Sequence, residues 1–125
     1  MAKFRSSDGW LFATIMSARK NPTLKDIIST GDMLNHSILS LEEINTGLSR
    51  LNACGLIRIE NKNIIITAEG DLFFSQNNNA NEGCIKMQLR FSEIFSKKKI
   101  PCAVNYVDYF SIAEHSEAYG KYCKL

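Results

Sequence analysis

The stretch from Ser40 to Gly70, SLEEINTGLSRLNACGLIRIENKNIIITAEG, constrains the fold more than any other part of this chain. It opens on a capping box. Ser40 and Glu43 are spaced so that each side chain can satisfy an orphan backbone amide at a helix start. Leu41, Ile44, Leu48 and Leu51 then recur at helical spacing, which predicts one buried face on a helix from about Leu41 to Ala53. Gly55 suits a left-handed helix stop, and Leu56 beyond it is placed to touch Leu51. Leu56–Glu60 and Asn63–Thr67 read as strands joined by the short turn Asn61-Lys62, where asparagine tolerates positive φ. Thr67 begins a further helix, with Glu69 favourable in its first turn. Helix, glycine stop, hairpin and helix start together predict an α+β chain, mainly helical, with a two-stranded sheet.

The flanks add helices. Asp8 or Ser7 caps a first one, from about Gly9 to Arg19, with an apolar face on Trp10, Leu11, Ala13 and Ile15. Asn21-Pro22 breaks it, and Thr23 with Asp26 starts a second carrying Leu24, Ile27 and Ile28. Gly31 interrupts this helix, and residues 32–35 suit one more turn. Residues 76–82 form a polar linker. Between Glu82 and Lys99, alternation at Ile85, Met87, Leu89 and Phe91 suits a strand, while Leu89, Phe91, Ile94 and Phe95 continue a helical face. Length and the lack of an internal breaker favour helix. Val104 to Phe110 looks extended, and a second capping box, Ser111 with Glu114, predicts a final helix over Ile112–Cys123. The expected organisation is a core over 8–75, the linker, and an extension over 83–125 that packs on the same domain or serves dimerisation.

With 125 residues the chain suits one domain with enough apolar content for a core. It has no apolar run of membrane-spanning length, and its N-terminus lacks the cleavage site of a signal peptide, so a cytoplasmic protein with no membrane partner is expected. The four cysteines form no C-x-x-C pair and lie near neither histidine, which predicts reduced thiols and no metal site. Asp32 with His36, and His115 with Glu114 and Glu117, lack a third ligand at matching spacing. No nucleophile has an identifiable base and no glycine loop suits phosphate. The expectation is a non-enzymatic protein without a cofactor.

Residues 8–74 resemble winged helix-turn-helix domains, as found in bacterial transcription regulators of the MarR and PadR types. The residues that carry the likeness are E-I-N-T-G-L-S-R-L-N-A-C-G-L-I at 43–57 and I-T-A-E-G at 66–70. They resemble the family's recognition helix, first wing strand and post-wing helix start. One departure is the long connection Ser29–Leu39, where typical members have a tight turn. The resemblance implies double-stranded DNA as partner and regulation of transcription as function. It implies reading by the polar stripe of the third helix, Glu42, Asn45, Thr46, Ser49 and Asn52, with Arg50 reaching a phosphate and Arg58 and Lys62 as wing contacts.

Charge distribution runs against that implication. Residues 23–83, which hold the would-be recognition helix and wing, carry four basic and eight acidic side chains. The basic excess lies at the two ends, including Lys97–Lys99, whereas nucleic-acid binders concentrate it at the reading face. The alternative is the same fold used as a protein-interaction or dimerisation module without DNA binding. Separately, the extension suits a homodimer through Ile85, Leu89, Phe91 and Phe95, or else folds back on its own domain. Gly47, in mid-helix, predicts a tight contact inside the domain.

Overall fold

The computed structural model describes residues 3–18, 21–79, 81–100 and 103–123. Along the chain lie α1 (Ser6–Ser17), α2 (Leu24–Asn35), α3 (Leu41–Ala53), β1 (Ile57–Glu60), β2 (Asn63–Ile66), α4 (Ala68–Asn77), α5 (Cys84–Ser96) and α6 (Ile112–Cys123). The architecture is α+β and mostly helical, with one two-stranded antiparallel sheet. No helix among the described residues is long and apolar enough to cross a membrane.

Local chemistry sets the central elements. The Ser40 hydroxyl accepts from the Glu43 amide (3.1 Å), and the Glu43 carboxylate accepts from the Ser40 amide (2.9 Å), so both halves of the capping box form. At the other end of α3, Gly55 has φ 76°. The Leu56 amide donates to the Leu51 carbonyl and the Gly55 amide to that of Asn52, both at 3.1 Å, the paired bonds of a Schellman stop. In the hairpin, Ile57 pairs with Ile66 and Glu60 with Asn63. Asn61 and Lys62 both have positive φ (50° and 65°), as a turn matching the strand twist requires.

The core is organised around α1. Asp8 to Ile15 are all buried, so this helix is central rather than one-sided as expected. The reason is tertiary: α2 and α3 pack on it, and so does α5. Gly9 permits the closest approach, since a Cβ there would fall 2.2 Å from the Phe91 carbonyl oxygen. Phe12 meets the rings of Phe73, Phe91 and Phe95 at centroid distances of 5.5–5.7 Å. Phe91 also stacks on Phe74 (5.4 Å). Met87, Phe91, Phe95, Phe110 and Ala118 therefore belong to the same apolar cluster as Leu11, Ile27 and Leu48.

Three boundaries differ from the sequence reading. Arg5, not Ser7 or Asp8, is the N-cap of α1; Asp8 sits a turn inside and its carboxylate accepts from the Arg5 amide (2.8 Å). The α2 helix runs through Gly31 to Asn35, leaving residues 36–40 as the connection to α3. Gly31 is kept for contact: a Cβ would meet Leu39 at 3.0 Å, and its carbonyl accepts from the Trp10 indole at 2.9 Å. Finally, α4 takes in Gln76 and Asn77, which shortens the polar linker. The extension from α5 onward forms helices as expected, with the Ser111–Glu114 box closed in both directions (2.9 and 3.1 Å). Tyr122 on α6 donates to Asp32 on α2 at 2.5 Å, a bond to a carboxylate that raises the phenol's pKa.

Candidate interaction face

One face of α3 is apolar and turned into the core: Ile44, Leu48 and Leu51 are fully buried. The opposite, polar stripe is covered by the chain itself. The segment ending at Phe110, which has no regular secondary structure, crosses it like a strap. Asn45 Nδ2 donates to the Phe110 carbonyl (2.9 Å), and Asn45 Oδ1 accepts from the Phe110 amide (3.1 Å). The Val107 amide donates to Ser49 Oγ (3.0 Å), and that hydroxyl donates to the Asn45 carbonyl (2.9 Å). Backbone groups brought out of water need partners, and here two α3 side chains supply them. Asn45 and Ser49, expected to face outward, are accordingly only 4% and 2% exposed. Thr46 is half-buried; its hydroxyl donates to the Glu42 carbonyl (2.7 Å) and accepts from Arg50 Nη2 (3.2 Å). Only Glu42 and Asn52 of the predicted stripe are exposed.

Arg50 is the second correction. It does not reach out toward a phosphate position. Its Nε and Nη2 donate to the two carboxylate oxygens of Asp8 at 2.6 and 2.9 Å, with side-chain exposures of 3% and 0%. Burial acts to lower the guanidinium's pKa, but the hydrogen bonds to Asp8 and Tyr106 outweigh it and the pKa is raised. Nη1 donates to the Tyr106 hydroxyl (3.3 Å), and the guanidinium lies 5.8 Å from that ring's centroid. The missing side chain at Gly47 lets α1 approach: a Cβ would sit 2.6 Å from Leu11 Cδ2 and 3.1 Å from Asp8 Oδ1. The sequence offers Asp8 or Ser7 as a helix cap and does not identify the Asp8 partner on α3. The one available signal was a carboxylate directly preceding an apolar helix.

The hairpin tip is tied down as well. Lys62 Nζ lies 2.7 Å from both carboxylate oxygens of Glu114 at the start of α6. That hydrogen bond, together with those from Ser111, holds the Glu114 carboxyl below its ordinary value. Arg58 is exposed and, among the described residues, pairs with its strand neighbour Glu60 (2.9 Å). Of the six candidate DNA contacts, Arg58 and Lys62 are thus the exposed ones, and both already have a carboxylate partner. Where α3, the hairpin tip, the strap and α6 meet there is a cleft of about 620 Å³. Leu41, Tyr109, Phe110 and Ile112 line it, with Glu42, Asp108, Glu114 and Lys62 around them.

The candidate dimerisation residues divide in two. Phe91 and Phe95 are fully buried inside the chain and present nothing to a second copy. Their helix packs against α1, which consumes its apolar side. Ile85 and Leu89 are 50% and 56% exposed on the remaining side. Among the described residues no group of three or more His, Cys, Asp or Glu is arranged to hold a metal ion. Comparison with protein-family models, with curated proteins and with solved structures finds no match to this chain.

Proposed function

We propose that this chain is a non-enzymatic winged-helix domain that works as a protein-interaction module. The order of α1, α2, α3, the β1–β2 hairpin and α4 supports the winged-helix assignment. The observation that carries the functional reading is the bidentate Asn45–Phe110 pairing. It places the chain's own backbone where a duplex edge would have to lie, and Arg50 spends its charge on Asp8. The acidic side chains at the head of α3, Glu42 and Glu43, add repulsion toward phosphate.

A DNA-binding transcription regulator is the second reading, favoured by Arg58, which stands exposed on the hairpin. Fluorescence anisotropy of a labelled mixed-sequence duplex, at about 50 mM and about 200 mM salt, separates the two. The module reading expects no binding at the lower salt. Micromolar binding that collapses with salt, and that Arg58→Ala weakens, supports the DNA reading instead.

A further inference from the structure

We propose that the cleft between α3, the hairpin tip, the strap and α6 docks a short partner segment that is both basic and apolar. This rests on the interaction-module reading and specifies its partner. The apolar half of the argument is Ile112. It is 77% exposed at the first position of α6, beside the partly buried Leu41 and Tyr109. A lone exposed isoleucine is ordinary, but one that lines a concave apolar cleft offers an anchor site.

Charge selects the occupant. Three carboxylates, Glu42, Asp108 and Glu114, line the cleft against one ammonium, that of Lys62. Lys62 is committed to Glu114. Asp108 makes no ion pair among the described residues. Among the described residues Glu42 pairs with the exposed Arg5 at 3.5 Å, a contact of little energetic weight. At the start of α6 the Ser111 and Glu114 amides are already satisfied within their own capping box, so neither is offered to an anion. The complement is therefore a cationic side chain next to an aliphatic one, presented by another protein.

The test uses the full chain and three labelled synthetic peptides: Lys-Leu-Lys-Leu-Lys, Lys-Ser-Lys-Ser-Lys and Glu-Leu-Glu-Leu-Glu. Anisotropy titration should detect the first with Kd below about 1 mM, and the other two at least about tenfold weaker. Asp108→Lys and Ile112→Ser should each weaken the first peptide about tenfold, while Lys86→Glu on α5, outside the cleft, should not. Asp108 and Ile112 are exposed, so circular dichroism should be unchanged in both variants. No binding of the first peptide at about 1 mM, or binding indifferent to both cleft variants, overturns the proposal. Either result leaves the module reading standing, since that reading fails on the duplex titration and not on this one.

Discussion

Asp8 on α1 and Arg50 on α3 meet in a two-point ion pair, Nε to Oδ2 at 2.6 Å and Nη2 to Oδ1 at 2.9 Å, inside the protein. Forty-two residues apart, they fix how the two helices cross. Removing one partner strands a buried charge, so Asp8→Ala should cost about 3–5 kcal/mol in urea unfolding. The double replacement Asp8→Leu/Arg50→Met should cost clearly less than the two single changes added together. The raised pKa of Arg50 means its contribution is complete below the unfolded-state arginine value and is lost only as pH rises through the folded value. Stability at neutral and mildly alkaline pH should therefore show no step from Arg50.

Helix propensity and packing make opposite forecasts for Gly47. Alanine in mid-helix should gain about 1 kcal/mol from propensity. The new methyl, however, would stand 2.6 Å from Leu11 Cδ2, in a side chain with no exposed surface. Packing wins: Gly47→Ala should lower stability by about 1–3 kcal/mol. Gly9→Ala should be worse, because it would meet rigid backbone, the Phe91 carbonyl at 2.2 Å. A thermal melt of each variant checks the order.

The Lys62–Glu114 contact gives the strap a pH dependence. The Glu114 carboxyl is held below its ordinary value by Lys62 and Ser111. The stabilisation it lends is therefore present above the unfolded-state glutamate range and is lost as pH falls through the lowered folded-state value. Proteolysis within residues 103–110 should accelerate on acidification through that window. In Glu114→Gln it should be faster at neutral pH and lose this acid-dependent component.

Exposure separates two kinds of apolar residue on α5. Phe91→Arg should unfold the protein, because its ring is fully buried among Phe12, Phe73 and Phe74. Leu89→Arg should leave the fold intact, since the side chain is more than half exposed. Sedimentation at micromolar concentration then decides whether the Ile85–Leu89 side joins two copies. A wild-type dimer that Leu89→Arg converts to monomer would establish it, and a wild-type monomer would exclude it at that concentration.

Local signals were the legible part of the fold. Ser40 with Glu43, Thr23 with Asp26 and Ser111 with Glu114 announce helix starts because both members of each pair lie within one turn. Gly55 and Asn61 announce backbone that must turn left-handed. The fate of Asn45, Ser49 and Arg50 was not legible, because each answers to a group far along the chain. A helical period reports which stripe is apolar. It does not report whether the polar stripe meets water or the unpaired amides of a strap some sixty residues later. For the same reason Phe91 and Phe95 read equally well as a dimer seam or as core. The close approach that Gly9 allows between α1 and α5, with both rings against Phe12, puts them in the core.

Amide hydrogen exchange at Phe110 reads, at the atom itself, whether the strap seals α3. Among the described residues the Phe110 N–H donates to one partner, Asn45 Oδ1 at 3.1 Å. Strong protection is expected at Phe110, with Val107 protected through Ser49. Asn45→Ala should abolish the protection at Phe110 while leaving the interior of α1 slow to exchange. Exchange of the wild-type Phe110 amide at the rate of an open coil would mean that the polar stripe of α3 is free, and would contradict a sealing strap.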